Sequence, residues 1–473
     1  MVVNWPVPLV KVLKMLEEAG FEAYVVGGAV RDYLLGKPPV DLDVATSARP
    51  QEVLDLVVRS GLKAVTYGAA FGVVGVLAEG GLVEVATFRS EVYGEDPHRP
   101  EKVDFLSRLE EDLARRDFTI NAMAMDLRGK LYDPFGGQED LRRGIIRAVG
   151  DPVKRFQEDA LRAFRACRFA AQLGYRVEPR TRSALSQVRE RVARLSVERV
   201  RDEIERILVS DHPDVGFELM REAGLLLSSC RGRNRGREEQ VLILPEVARL
   251  YGVEQNPRYH RYDVWSHTMA VLRNSPPRIA LRWAALLHDV AKGLPGVRKL
   301  NRRGELCDHR HEVRSAQLAA RILRRLRVRP QVARRAVFLV RCHMFSCNMR
   351  ERTVIRWLGR LAADLPRRQE LEEALEELFA LRRADLRGGK VEAEEGLREL
   401  DRFREMVKET LARTPFYPSE LALAGKDLVA ILGEGPQIGK VQRELLREVQ
   451  SGRLPNEREA LWRFVEKRWS KPI

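Results

Sequence analysis

The spacing of apolar residues changes near residue 150 of this 473-residue chain, and that change constrains the fold more than any other feature. Before it lie four short apolar runs typical of strands: FEAYVVGG (21–28), VDLDVAT (40–46), FGVVGVL (71–77) and LVEVATF (82–88). After it, stretches such as VKRFQEDALRAFRACRFAAQL keep the 3.6-residue period of an amphipathic helix. We therefore predict an α/β region over residues 1–150 and helices from there to the end.

Breaks in the helical pattern divide the rest of the chain. RGRNRGR (231–237) predicts a surface loop, and GGKVEAEEG (388–396) predicts a second boundary. The expected domains are thus 1–150, 151–250, 251–390 and 391–473. Within the first domain, the polar stretch SEVYGEDPHRPEKVD, between Arg89 and Phe105, predicts a mobile loop.

The net charge of +15 is unevenly distributed over these domains. It is −5 in residues 1–150, +4 in 151–250, +16 in 251–390 and 0 in 391–473. The densest basic run, RILRRLRVRPQVARR (321–335), holds seven arginines. This run is consistent with nucleic-acid binding or with a solvated, arginine-rich helical face.

Composition predicts a cytoplasmic protein without a membrane span. The run Ala64–Ala78 is 15 residues with three glycines, too short for a bilayer. The first residues, MVVNWPVPLVKVL, lack the pattern of a secretory signal. Five cysteines without a CxxC pair suit a reducing compartment. The sequence leaves the oligomeric state open.

Two features of the first domain together suggest a phosphate and metal site. Gly27 and Gly28 lie between a predicted strand and helix, where backbone N–H groups can hold phosphate, although a simple tight turn explains them as well. Asp41 and Asp43, two apart on a predicted strand, would point to one face and could share Mg²⁺ ions. An exposed strand edge is the alternative for this pair.

The order of these motifs, followed by RRDFTINAMAMD (115–126), DPFGGQEDL (133–141) and EDALRAFRACRFA (158–170), resembles the class II tRNA nucleotidyltransferase and poly(A) polymerase family. That resemblance implies a polymerase-β-like nucleotidyltransferase head over 1–150 and an all-α neck over 151–250. It also implies untemplated, Mg²⁺-dependent addition of C and A residues from CTP and ATP to the 3′ end of tRNA.

The resemblance also implies roles for individual residues. Asp41 and Asp43 would be catalytic ligands of Mg²⁺, and Glu84 could be a third acidic group or an outward-facing strand residue. Glu198 and Arg199 match a neck motif that braces helices. The nucleotide-binding residues would be Gly27, Gly28, Arg31, Arg116, Asp117, Asn121, Asp159, Arg162 and Arg165.

Two pairs in that set have specific expected tasks. Arg116 and Asp117 would contact the phosphate and ribose of the incoming nucleotide, with a local ion pair as the alternative. Asp159 and Arg162 are three apart on a predicted helix and would share one face. The family uses this pair to imitate a template base, whereas an ordinary surface ion pair is the other interpretation.

Six of the eight histidines lie in residues 251–390. The order of histidines and aspartates there resembles the HD phosphohydrolase superfamily, which implies a helical HD domain, a second divalent metal and possible hydrolysis of phosphomonoesters or 2′,3′-cyclic phosphates. A catalytically inert domain is the alternative, and spacing does not select the metal. The metal candidates are His267, His288, Asp289, His311, His343 and Asp385.

Three functions therefore compete. A tRNA nucleotidyltransferase, adding all of CCA or only part of it, is favoured by YGAAFGVVGV (67–76) and by the lack of a basic GRRF-like stretch. A poly(A) polymerase on the same scaffold is the second possibility. A protein that is mainly an HD phosphohydrolase is least favoured, because every expected acidic and base-reading residue of the head and neck is present.

Overall fold

The computed structural model describes residues 5–39, 41–66, 72–93, 100–105, 108–234, 236–391 and 393–469. The chain forms two compact units: Met1–Arg249 with Ile322–Val328, and Leu250–Arg321 with Arg329–Ile473. None of the helices in the described ranges combines the length and apolar composition that crossing a bilayer requires.

A mixed seven-stranded sheet forms the centre of the first unit, in the order β3-β4-β5-β2-β1-β8-β9. Only β2 and β5 are parallel among its described pairings, and the register places Asp43 opposite Glu84. The strands are β1 (Ala23–Val26), β2 (Asp43–Thr46), β3 (Lys63–Val65), β4 (Val73–Ala78), β5 (Gly81–Thr87), β8 (Ala124–Met125) and β9 (Leu131–Tyr132). All four predicted strand runs are thus confirmed.

Side-chain alternation explains why these runs become strands. In β5, Val83 and Val85 are buried while Glu84 between them is exposed. One face of the sheet packs around Phe88 and Leu113, and helix α1 (Val7–Glu18) covers β1, β4 and β5 through residues such as Leu13. Burial on both sides holds β2, which begins at Asp43, and β1, which ends one residue before Gly27.

Helices account for most of the remaining first unit. They are α2 (Gly28–Leu34), α3 (Pro50–Arg59), α4 (Leu109–Ala114), α5 (Gly137–Arg143), α6 (Pro152–Glu158), α7 (Leu161–Leu173), α8 (Pro179–Leu185), α9 (Arg189–Val192), α10 (Val197–Leu208), α11 (Pro213–Glu222) and α12 (Pro245–Ala248). A short parallel pair, β10 (Ile145–Ile146) and β11 (Arg176–Val177), joins the end of the head to the neck.

Both predicted loops of this unit contain paired strands. The stretch after Phe88 forms a hairpin of β6 (Arg89–Tyr93) and β7 (Pro100–Phe105); residues 94–99 lie outside the described residues. RGRNRGR contributes to β12 (Ser229–Asn234) and β13 (Arg237–Leu242). In β13 only Val241 is buried, so the hydrophobic alternation by which strands are recognised is missing from the sequence.

In its described residues, the second unit is helical apart from one small hairpin of β14 (Arg298–Leu300) and β15 (Leu306–Asp308). Its final helices pack around their own core, which includes Leu428, Leu445 and Leu461. The helices are α13 (Val264–Asn274), α14 (Ile279–Leu287), α15 (His311–Arg325, whose last residues belong to the first unit), α16 (Pro330–Cys342), α17 (Glu351–Ala362), α18 (Arg368–Arg387), α19 (Ala393–Arg413), α20 (Gly425–Leu432), α21 (Gln437–Gln450) and α22 (Arg458–Trp469). The predicted fold class, a polymerase-like α/β head followed by helical regions, is confirmed.

Candidate active sites

A cleft of about 900 Å³ in the first unit brings together the head and neck residues predicted to bind metal or nucleotide, apart from the possible third acidic group Glu84. Its walls are formed by the sheet, by the segment that follows α4 and by helix α7. The predicted residues that line it are Gly27, Gly28, Arg31, Asp41, Asp43, Arg116, Asp117, Asn121, Asp159, Arg162 and Arg165.

Acidic groups are crowded at one end of this cleft. Asp43 is the first residue of β2, whereas Asp41 precedes the strand rather than lying on it as predicted. Burial raises the pKa of Asp43 to about 6; the positive charge of Arg116 opposes this shift, and Glu84 and Asp41 add to it. Because a cation would relieve this repulsion, the donor set fits a divalent metal with oxygen ligands.

Gly27 allows a close approach that a larger residue would block. Its φ is +70°, and an added Cβ would lie 2.8 Å from Nη1 of Arg116. On the next helix, Arg31 donates to Oδ1 of Asn121 at 2.8 Å, and its guanidinium lies over the ring of Phe169. Two arginines therefore reach the glycine turn, which gives the cleft a positive lining beside the acidic end.

Asp117 connects the head to the neck helix α7. Its carboxylate accepts from the Phe118 N–H at 2.8 Å, from Nδ2 of Asn121 at 3.2 Å and from Nε of Arg165 at 2.6 Å. Burial alone would raise the pKa of Asp117, but Arg165 and Asn121 lower it to about 2. Asp117 is therefore ionised at neutral pH, and Arg165 is held in place from α7.

Asp159 and Arg162 do not form the predicted pair on one helix. Asp159 is extended between α6 and α7, where it accepts from the Leu161 N–H at 2.9 Å and from Nη2 of Arg199 at 3.1 Å. Arg162, in the first turn of α7, binds Glu158 at 2.6 Å instead. The prediction of a shared helical face was wrong because the chain leaves helical geometry at Asp159, yet both residues line the cleft.

Glu198 and Arg199, which were predicted to brace the neck helices together, have different surroundings. Arg199 lines the cleft and braces Asp159, whereas Glu198 is bound by Arg327 within the same unit. Glu84 is not among the lining residues, although its charge raises the pKa of Asp43.

Sequence reasoning missed several basic residues of the cleft. Arg115 and Arg168 stand beside predicted residues in their motifs, so the motif match could have indicated them; Arg168 pairs with buried Glu203 at 2.9 Å. No local pattern marks the others, which come from separate segments. The additional basic residues are Lys37, Arg89, Arg115, Arg168 and Arg206.

The second unit contains a separate, buried cluster of the predicted HD residues around Asp289. Nε2 of His288 lies 3.2 Å and Nε2 of His311 lies 3.1 Å from its carboxylate oxygens. His267 lies 3.6 Å and His343 lies 4.0 Å away from the same carboxylate. Asp385 completes the group through a 3.1 Å contact with Nε2 of His267.

Backbone carbonyls orient all four imidazoles. Nδ1 of His267, His288, His311 and His343 contacts the carbonyl oxygens of Gly388, Ala285, Asp308 and Val340 at 2.7, 2.8, 3.0 and 2.7 Å, respectively. A carbonyl oxygen only accepts, so each Nδ1 carries a proton, and in the neutral imidazole Nε2 then keeps a free lone pair. The four lone pairs converge on the two carboxylates, and this donor set fits a divalent metal.

Burial and charge shift the candidate ligands in different directions, and Asp289 raises the pKa of His288 against the effect of burial. Burial would raise the pKa of Asp289, but His288 and Lys292 hold that pKa well below its usual range. Burial, together with His288 and His311, lowers the pKa of His343 to about 3. Lys292, 2.7 Å from Asp289, and Lys390, 3.6 Å from Asp385, add positive charge to the lining of the pocket.

Three segments of the chain match known domain families. Residues 23–147 match the Poly A polymerase head domain. Residues 174–228 match the domain described as a probable RNA and SrmB-binding site of polymerase A. Residues 258–386 match the HD domain.

Curated relatives are similar over the head and neck. A CCA-adding enzyme of Lactobacillus helveticus is 45% identical over 236 residues, which are 50% of this chain and 58% of the relative. The CCA-adding enzyme of Geobacillus stearothermophilus is 41% identical over 269 residues, 56% of this chain and 63% of the relative. The chain thus matches about three-fifths of the length of these relatives.

Solved structures extend the similarity of fold to nearly the whole chain. The Bacillus stearothermophilus CCA-adding enzyme in complex with CTP is 29% identical, has a TM-score of 0.65 and covers 98% of this chain and 96% of its own. A Thermotoga maritima CCA-adding enzyme complexed with tRNA is 20% identical with a TM-score of 0.56, covering 97% and 94% of the two chains. The second likeness shows the fold alone.

The Asp117–Arg165 pair yields a prediction about acid stability. Because its folded-state pKa is depressed, Asp117 contributes stability above about pH 4, and this contribution is lost as the pH falls towards 2. Asp117→Asn should therefore lower the free energy of unfolding by about 2 kcal/mol at pH 7, and by less as the pH falls below 4. Urea unfolding at several pH values measures both quantities; a deficit that is constant down to pH 3 would contradict the assignment.

Proposed function

Because the head and neck of this chain belong to the class II tRNA nucleotidyltransferase and poly(A) polymerase family, and residues 258–386 form an HD domain, we propose that the protein adds C and A to the 3′ end of tRNA from CTP and ATP. The observation that carries the proposal is the single cleft in which the acidic pair, the glycine turn and the neck residues meet. The names of the similar proteins, CCA-adding enzymes that include one solved in complex with CTP, support the same activity.

Asp41 and Asp43 would hold Mg²⁺ in the head. Bound there, the metal would activate the 3′ hydroxyl of the RNA and stabilise the pyrophosphate leaving group. Arg116, which lies beside Gly27 and faces Asp43, would contact the triphosphate, since a guanidinium binds phosphate oxygens through paired hydrogen bonds. Gly27 would let the phosphates approach the backbone closely.

Asp117, Asn121 and Arg165 would position the incoming nucleotide from the side of the neck. Asp117 already accepts from Asn121 and Arg165, so its remaining lone pairs can accept from a ribose hydroxyl while its position stays fixed. Arg31, held by Asn121, would support the phosphates from the opposite wall.

Asp159 and Arg162 would read the base from neighbouring positions. Asp159 Oδ2 contacts Arg199 and has a second lone pair for an exocyclic amine. Arg162 binds the carbonyl oxygens of Arg115 and Arg155 as well as Glu158, so its guanidinium is fixed before a nucleotide arrives. Two base-contacting side chains held in fixed positions would select bases without a template.

Full CCA addition is the proposal, with CC-only or A-only addition and polyadenylation as the alternatives. Much of the sequence evidence for these distinctions, YGAAF (67–71) and residues 94–99, lies outside the described residues. The length of the added tail therefore distinguishes the alternatives. A cytoplasmic location is also proposed, in keeping with five free cysteines.

The arginine run 321–335 contains two kinds of residue. Arg325 forms a bidentate salt bridge with Glu246, at 2.7 and 2.8 Å, and Arg327 binds Glu198, so both arginines stabilise the first unit. The structure describes no ion pair for the four exposed arginines of the run, which leaves their charge available for tRNA phosphates. These four are Arg321, Arg324, Arg329 and Arg334.

We further propose that the HD cluster hydrolyses phosphate esters, including 2′,3′-cyclic phosphates. His267, His288, Asp289, His311, His343 and Asp385 would hold one or two divalent metals, which supply an activated water. Lys292 and Lys390 line the same pocket and would bind the phosphate oxygens. The observation that favours this second activity is the convergence of four oriented imidazoles on two buried carboxylates.

The first test is extension of tRNA that lacks its terminal CCA. With Mg²⁺, CTP and ATP, the protein should add three nucleotides and stop, as read on a sequencing gel. Asp41→Ala should abolish addition, whereas Asp55→Ala, which changes an exposed aspartate of α3 outside the cleft, should not. Addition of two nucleotides, or of a single A, would indicate a partial enzyme, and a long A tail would indicate a poly(A) polymerase. Activity retained in Asp41→Ala would exclude the metal-ligand role.

The second test separates the two active sites. Asp289→Ala should remove hydrolysis of 2′,3′-cyclic AMP assayed with Mn²⁺ or Ni²⁺, because the carboxylate shared by both possible ligand groups is lost. Extension of tRNA by the same variant should stay at the wild-type rate. Loss of both activities would instead show that Asp289 is needed for folding, and absence of hydrolysis in the wild type would contradict an active HD site.

The third test concerns the arginine run. Replacing Arg321, Arg324, Arg329 and Arg334 by Gln should weaken tRNA binding and lower the slope of log Kd against log salt by up to about 3, measured between about 50 and 200 mM KCl. A matched control replaces four exposed arginines of the last, net-neutral block: Arg398, Arg402, Arg443 and Arg447. Equal slopes in the two variants would show that the run is only a solvated face.

A further inference from the structure

The hairpin of β14 and β15 ends at the HD pocket, and its last residue is Asp308. The sequence pattern did not select Asp308, which is absent from the series of histidines and aspartates. Its side chain is nevertheless mostly buried; it contacts Arg298 and the segment that follows Asp289, and its carbonyl oxygen contacts His311.

The carboxylate of Asp308 binds the segment that follows Asp289. Oδ1 accepts from the Gly293 N–H at 2.9 Å, directly after Lys292. Arg298 completes a clamp, with its Nε 3.2 Å from Oδ1 and its Nη2 2.8 Å from Oδ2. A paired, charge-assisted contact of this kind fixes orientation as well as distance.

The backbone of Asp308 orients a different ligand. Its carbonyl oxygen accepts from Nδ1 of His311 at 3.0 Å. Between the two residues the chain passes through Arg310, a non-glycine residue with φ of +54°. Side-chain-bearing residues avoid this left-handed region, so the surrounding contacts must hold the turn in place.

We propose that Asp308, clamped by Arg298, is a positioning residue that sets the distance between Asp289 and His311. Its carboxylate holds the turn after Asp289, and its carbonyl fixes the tautomer and ring direction of His311. The proposal rests on the HD metal site proposed above. Asp308 itself would not bind the metal, since its carboxylate is occupied by Arg298 and Gly293.

Asp308→Ala keeps the carbonyl but releases its position, so metal affinity should fall. Outer contacts of this type change affinity by roughly 10- to 100-fold. We would titrate untagged, full-length protein with Ni²⁺ by calorimetry, in an Asp41→Ala, Asp43→Ala background that removes the head site. Arg298→Gln, which breaks the clamp from the other side, should weaken binding in the same direction and replaces Asp308→Ala if that variant does not fold.

Asp427→Ala is the matched control in the same unit. Asp427 also accepts from one backbone N–H, of Ala424, and from one arginine, Arg458, both at 2.9 Å, but contacts no HD ligand. Its Ni²⁺ affinity should equal that of the parent protein. An Asp308 variant whose affinity stays within about threefold of the parent, far below the change expected for a lost outer contact, would overturn the proposal.

A readout without metal separates this proposal from the metal site itself. In histidine-selective ¹⁵N NMR of the metal-free protein, His311 should be a single Nδ1-protonated tautomer, and Asp308→Ala or Arg298→Gln should give a mixture. An unchanged tautomer would contradict the positioning role. If the parent binds no Ni²⁺ and yet the tautomer shifts in the variants, the metal site fails while the positioning of His311 by Asp308 stands.

Discussion

The ion pair between buried Asp117 and partly exposed Arg165 is the contact on which the cleft of the first unit depends. One partner follows the head segment that contains Arg116, and the other lies on helix α7 of the neck. Without Arg165, the buried carboxylate would lack its main compensating charge, at a cost of several kcal/mol. The same contact therefore holds the two walls together and aligns the residues that would bind sugar, phosphate and base.

The net charge of a domain in this protein does not match the charge of the site that the domain contains. The first 150 residues are net negative, yet the cleft within the first unit is lined by ten basic and six acidic residues. Most of its arginines are already engaged: Arg162 by Glu158, Arg165 by Asp117, Arg168 by Glu203. Pairing of this kind keeps the guanidinium groups in place at the site proposed for a highly charged triphosphate, which loose surface side chains would not achieve.

Much of the site could be predicted because short motifs preserve local geometry. The turn at Gly27, the strand start at Asp43 and the histidine series each fix residue types at a set spacing along the chain. The spacing of residues in a motif does not show which distant residues their side chains contact in the folded chain. Asp159 was expected on a helix and lies between two helices, where Arg199, forty residues away, holds it. Arg325 and Arg327 look like part of a uniform basic run, and only their carboxylate partners distinguish them from exposed neighbours.

The four imidazoles of the HD cluster owe their orientation to main-chain carbonyl groups. A carbonyl oxygen is present whatever side chain the residue carries, so exchanging Ala285 or Val340 for another residue of compatible size deletes no hydrogen bond to a histidine. The ligand geometry is therefore encoded by the path of the backbone. Such a site can persist while the sequence around it diverges, with only the ligands themselves and the contacts that fix the backbone, such as Asp308 with Arg298, kept constant.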